Sequence, residues 1–255
     1  MTSPREAGSV TSRVADGIAR VEFGHPKGNS LPARLLRGLA DEVGRVGALD
    51  DVRVVVLQST GSGPFCAGAS FDELVAIGDE VAGKEFFLGF ARVILAMTRC
   101  SKPVIARVHG KVVGGGVGIV AASDYAIATR GASIRLSELA IGIGPFVVGP
   151  VIERKIGAGA LSAMSIDADW RDAEWAERHG LFARVVDGVD SLDGAVNDFA
   201  TKLAASNPEA LARIKRITWS GTDDWPRLLE ERAALSGRLV LSGFAREAIQ
   251  AALSR

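Results

Sequence analysis

His109-Gly110-Lys111-Val112-Val113-Gly114-Gly115-Gly116-Val117-Gly118 follows a strand-like run, Pro103 to Val108, and opens an apolar, helix-competent segment, Ile119 to Ala122. A glycine inside a helix costs roughly 1 kcal/mol against alanine, so consecutive glycines at a strand-to-helix junction imply backbone brought close to something. One candidate partner is a ligand, because a helix N-terminus presents unpaired N–H groups and the positive end of its dipole to an anion or a developing oxyanion. The other is a crowded packing site where only hydrogen fits in place of a side chain. The stretch alone leaves both readings open.

Upstream, Ser59 to Pro64 is turn-rich and leads into Phe65-Cys66-Ala67-Gly68-Ala69-Ser70-Phe71-Asp72-Glu73-Leu74, a second run of small residues between a strand pattern, Val52 to Leu57, and a helical one. The strand is apolar except for Arg53, as suits a strand covered on both faces. Before it, Asp16-Gly17 sits between alternating apolar residues and predicts a hairpin over Arg13 to Phe23, with a disordered tail up to Ser12. Ser30 is placed to cap a helix whose buried face is Leu31, Leu35, Leu39, Val43 and Val46. A longer helix carries Phe86, Phe90, Ile94 and Met97 into the strand that precedes the glycines. Downstream, Tyr125 to Thr129, Ser133 to Leu136 and Phe182 to Val186 read as short strands. Leu192 to Ala205, Pro208 to Trp219, Trp225 to Leu241 and Phe244 to Leu253 read as amphipathic helices, suited to a lid or a subunit interface. The expected division is an α/β core over 13–190 and a helical region over 191–255.

With 255 residues, 47% of them hydrophobic, the chain has ample apolar material for a core. Thirty basic and thirty acidic residues cancel, which disfavours nucleic acid and anionic membrane as partners. The longest uncharged apolar run, Val112 to Ser123, is too short to span a bilayer, and Met1 to Ser12 lacks an apolar signal core, so a cytoplasmic protein is expected. Cys66 and Cys100 read as reduced core residues. His25, His109 and His179 lack metal-ligand spacing and read as surface or packing histidines, so no metal is expected. Gly114 to Ile119 lacks the last glycine of a dinucleotide fingerprint, and there is neither a Gly-Lys-Ser/Thr phosphate loop nor a Gly-x-Ser-x-Gly elbow.

Two junctions remain that could each aim a backbone N–H, from Ala69 and Gly115, at one oxygen: an oxyanion hole. Glu138, just beyond a strand and among Ile134, Leu136, Leu139 and Ile141, is either a partly desolvated acid or base or a carboxylate stabilising a helix start.

Phe65 to Ala69, His109 to Gly118, and Ser137-Glu138 with Gly142 four residues on resemble, in order and spacing, the three signature blocks of the crotonase (enoyl-CoA hydratase/isomerase) superfamily. His25 to Leu31 is similar to that family's first loop, and the helical last third to its trimerisation region. The resemblance implies an α/β fold, a spiral of ββα units, and a coenzyme A thioester whose carbonyl is polarised by the N–H groups of Ala69 and Gly115. By the same match Cys66, Ala67, Gly68, Ala69, Ser70, Phe71 and Gly115 border the coenzyme, and Glu138 falls on a catalytic glutamate. It further implies a homotrimer or dimer of trimers, with no cofactor beyond the coenzyme A of the substrate. The reaction so indicated is hydration of a 2-enoyl-CoA, with double-bond isomerisation or non-catalytic acyl-CoA binding as alternatives. Three departures stand out. Gly118 occupies the position of the second glutamate of two-glutamate hydratases, Ser70 stands where an aspartate is common, and Ile143-Gly144-Pro145-Phe146 replaces a small-residue turn. Ser123, Asp72 and Glu73 are the side chains that could compensate.

Overall fold

The computed structural model describes residues 8–253. The hairpin forms from β1 (Ser9–Ala15) and β2 (Ile18–Gly24), with Asp16 and Gly17 both at positive φ, the twist that suits a two-residue turn. Strand β1 begins at Ser9, so Ser9 to Ser12 belong to the sheet rather than to a tail. Residues 1–7 of the expected tail lie outside the described residues. Val10 and Val14 alternate with polar residues and pack on the core, which is why so polar a segment pairs as an edge strand.

Helix α1 (Ala33–Gly47) starts three residues after Ser30, and Ser30 is not its cap. The Ser30 hydroxyl lies 3.0 Å from His25 Nδ1 instead. The Ala33 N–H donates at 2.7 Å to the carboxylate of Glu73, forty residues away, so the cap comes from the first turn of a neighbouring short helix. Strand β3 (Val54–Ser59), the short α2 (Phe71–Ala76), and α3 (Glu80–Arg99), capped by Asp79, follow. Next come β4 (Val104–Val108), β5 (Val112–Val113), α4 (Gly115–Ala121), β6 (Tyr125–Thr129) and β7 (Ser133–Arg135). A 3-10 turn, Leu139–Ile141, leads to α5 (Gly149–Asp167), β8 (Arg171–Asp172), α6 (Ala173–Arg178) and β9 (Arg184–Val186). The remaining helices are α7 (Val189–Ala204), α8 (Pro208–Thr218), α9 (Trp225–Leu239) and α10 (Gly243–Leu253).

The larger sheet has the order β1-β2-β3-β4-β6-β9 and is parallel from β2 onward. A smaller sheet, β5-β7-β8, is extended by parallel bridges from Cys66 to Val112 and from Leu31 to Ala69. Each pass of the chain therefore lays a long strand in one layer and a short one in the other, a spiral of ββα units. Val54 and Val56 of β3 pack beneath α7 with Leu192 and Val196, while Val55 and Leu57 face the main core, so the strand is covered on both faces as its composition predicts. Helix α8 is fastened by Lys215, whose buried ammonium donates to the carbonyls of Met97 and Lys102 and pairs with Asp124 at 2.7 Å. Helix α9 lies along α3, and α10 against α2 and the 139–141 turn.

Since Glu73 supplies the cap that α1 lacks locally, Glu73→Ala is expected to cost about 1 kcal/mol. Urea unfolding of the two proteins checks this, with the midpoint moving and the slope unchanged.

Candidate active site

The two glycine-rich junctions lie side by side because their backbones pair. The Cys66 N–H donates to the Lys111 carbonyl at 3.2 Å, and the Val113 N–H returns a bond to the Cys66 carbonyl at 2.9 Å. One residue later each chain turns away. Among the described residues, neither the Ala69 nor the Gly115 N–H donates to a backbone carbonyl. Both residues line the same cavity.

Gly114 turns the chain from β5 into α4 with φ +52 and ψ −123, a conformation that L side chains rarely adopt. A Cβ there would also lie 3.0 Å from Oε1 of Glu138. The glycine thus serves both readings of the sequence at once: it makes a strained turn possible and lets a carboxylate approach the main chain. Gly115 is crowded on its other side, where a Cβ would fall 2.1 Å from the Phe90 ring. Here the packing explanation holds alongside the functional one.

Glu138 leaves the end of β7 and begins the turn that Ile141 and Ile143 close by donating to its carbonyl at 3.2 and 3.0 Å. Its side chain points into the cavity lining, and Oε2 is fully buried without a hydrogen-bond partner. Burial pushes the carboxyl up to about 7, opposed by hydrogen bonding from the backbone at Glu138 and Ser137. This is not a carboxylate on a helix dipole in water. It is a desolvated acid that holds its proton near neutral pH.

The other walls are apolar. Phe71 and Leu74 come from α2, Phe87 and Phe90 from α3, Ile141 and Ile143 to Val148 from the segment before α5, and the small Ser236 from α9. Ala67 and Gly68 complete the border on the side of the first junction. Cys66 and Ser70, which the resemblance places beside the coenzyme, are buried and do not line this cavity. The Cys66 thiol is pushed up to about 12 by burial, in keeping with an inert core residue.

Gly118 is covered by Val148. A Cβ at 118 would stand 2.4 Å from Val148 Cγ1 and 2.5 Å from its Cβ, so the direction a longer side chain would take is already filled. Ser123, Asp72 and Glu73 do not replace the missing group. Ser123 donates to the Val120 carbonyl, Asp72 pairs with Lys27, Glu73 caps α1, and none of them lines the cavity. The three histidines also lie outside its lining. The sequence offers no signal for Val148 or Ser236, because one sits in an irregular loop and the other in a distant helix. Phe90 is visible only as a core position of its stripe.

The family model described as enoyl-CoA hydratase/isomerase matches residues 13–252. The chain therefore belongs to the enoyl-CoA hydratase/isomerase family, within the crotonase superfamily, and its fold and its acyl-CoA enzyme class follow at that level. One relative is the (7aS)-7a-methyl-1,5-dioxo-2,3,5,6,7,7a-hexahydro-1H-indene-carboxyl-CoA hydrolase of Mycobacterium tuberculosis, 30% identical over 81% of this chain and 82% of its own. Another, the short-chain-enoyl-CoA hydratase of Clostridium acetobutylicum, is 28% identical over 78% and 76% of the two chains. The crystal structure of an enoyl-CoA hydratase from Mycobacterium avium superposes with a TM-score of 0.83 at 30% identity, covering 97% of this chain and 96% of that one. Among the described residues no helix is long and apolar enough to cross a membrane.

Two outcomes follow from this geometry. Gly118→Ala is expected to destabilise by about 1–3 kcal/mol through overpacking, and by less when Val148→Ala is present; a double-mutant cycle by chemical denaturation reads the coupling directly. Glu138 keeps its proton in the folded protein up to about pH 7 but loses it near the ordinary carboxyl value of 4.5 when unfolded. Its contribution to stability is therefore present at low pH and is lost as pH rises through about 7. Glu138→Gln, which does not titrate, should melt at a temperature that exceeds wild type by a margin growing from pH 5 to pH 8.

Proposed function

We propose that the protein adds water to a 2-enoyl-CoA, with Ala69 and Gly115 polarising the thioester carbonyl and Glu138 as the side chain that moves the proton. The observation that carries this reading is the buried, unpartnered Oε2 of Glu138 in the same cavity as two N–H groups that no backbone carbonyl uses. Negative charge spreads onto the thioester oxygen as the enolate forms. Two fixed N–H donors in a water-poor site stabilise that charge without reorganising, an effect worth a few kcal/mol per donor.

One carboxyl can complete the cycle. Its acid form gives a proton to the α-carbon while the oxygen of water bonds to the β-carbon, and the proton that water loses returns to the carboxylate. A group whose proton is held near pH 7 is suited to both halves. The short-chain-enoyl-CoA hydratase among the relatives supports the assignment of this reaction. No cofactor besides the coenzyme A carried by the substrate enters this scheme.

Val148 over Gly118 favours a second reading. A site with a single carboxyl also suits migration of the double bond: Glu138 as carboxylate removes a proton from one carbon and returns it to another, with no water consumed.

Incubation with crotonyl-CoA and with a 3-enoyl-CoA in deuterated water separates the two by mass spectrometry. Hydration adds the mass of water and places deuterium on the α-carbon, whereas migration incorporates deuterium with no gain of oxygen. Glu138→Gln should lower either activity by about a hundredfold or more while the protein stays folded. Undiminished turnover in that variant overturns the role given to Glu138.

A further inference from the structure

We propose that Ser236 of α9 is the wall that limits the acyl group, making this a site for an apolar acyl tail of bounded length. The inference rests on the acyl-CoA reading above. Helix α9 buries Trp225, Leu229 and Ala233 along one stripe, and Ser236 and Gly237 continue it. These two neighbours act differently.

Gly237 brings the helices together. A Cβ on it would stand 2.4 Å from the Lys84 nitrogen, and a Cβ on Gly83 would stand 2.7 Å from the Gly237 carbonyl oxygen, so the backbones of α3 and α9 touch at their crossing. Interaxial distance depends on the side chains at the contact, and glycine on both sides removes them. Helix α3 also supplies Phe87 and Phe90 to the cavity. The close crossing therefore carries the residue beside Gly237 to the cavity lining, where Ser236 is only 1% exposed.

The Ser236 hydroxyl donates to the Arg232 carbonyl of its own helix at 3.2 Å. Its hydrogen is spent there, and a small group is what the cavity meets. A polar tail finds no free donor at this wall, while an apolar tail is stopped by the helix itself. Enlarging residue 236 must then shorten the space and trimming it must lengthen the space, with the reacting groups untouched.

The test compares wild type, Ser236→Val and Ser236→Gly on a ladder of trans-2-enoyl-CoA esters lengthened from crotonyl-CoA in two-carbon steps. The matching saturated acyl-CoA esters are titrated calorimetrically. Hydrophobic pockets discriminate one methylene by about tenfold or more. Ser236→Val should lose about that factor in kcat/KM on the longest ester that wild type accepts, through KM, and lose progressively less as the ester is shortened. Ser236→Gly should move the optimum to longer esters. An equal loss at every length, or an unchanged profile in both variants, overturns the proposal. If Ser236→Val does not fold, the Ser236→Gly profile decides it alone. Wild type that neither binds nor converts any ester overturns the acyl-CoA reading first, a result distinct from normal turnover with an unaltered length profile.

Discussion

The backbone pairing of Cys66 with Val112 holds the site together. Two hydrogen bonds fix the ends of two strand exits against each other, and both chains must then turn within a residue or two. Side chains at the turns would keep the backbones apart, so small residues are required before any chemistry is considered. Gly114 turns the main chain in a conformation favourable to glycine and leaves room for Glu138 above it. The junction that orients the N–H groups is thus also the junction that admits the carboxyl.

That arrangement has a thermodynamic cost which the fold meets elsewhere. Glu138 is taken out of water with one oxygen unpaired, and its proton is held to about pH 7 as a result. A buried polar atom without a partner is a stability defect, and a large apolar core supports it here. Phe90 presses on Gly115 from behind, and α10 rests on the 139–141 turn that begins at Glu138. Each contact limits how far the site can relax to satisfy the carboxyl.

The strands and helices were largely legible because their signals are local. The Asp16-Gly17 turn, the doubly covered β3 and the stripe of α1 all follow from spacing within a few residues. The start of α1 was not legible, because its cap is Glu73 and no local pattern announces a partner forty positions away. The same distinction runs through the site. Glycine clusters and a carboxyl beyond a strand can be read in order along the chain. Val148 over Gly118 and Ser236 beside Gly237 cannot, since each gains its meaning from a contact between segments far apart. Cys66 and Ser70 mark the converse limit: they lie within the segment that the family resemblance places beside the coenzyme, yet both are buried in the core.

Val148 does more than remove room for a second carboxyl. In a site with two carboxylates, part of the upward pressure on either proton affinity comes from the like charge of the other. Among the described residues no second carboxyl lines the cavity, and desolvation alone raises the proton affinity of Glu138. The strength of that effect depends on how completely water is excluded, and so on the same Phe, Ile and Val walls that are proposed to receive the acyl group. An apolar acyl tail that fills the cavity strengthens the exclusion, and one that leaves a gap admits water to the carboxyl. Fit of the acyl group and proton affinity of Glu138 are therefore coupled through a single physical quantity, the dryness of the cavity.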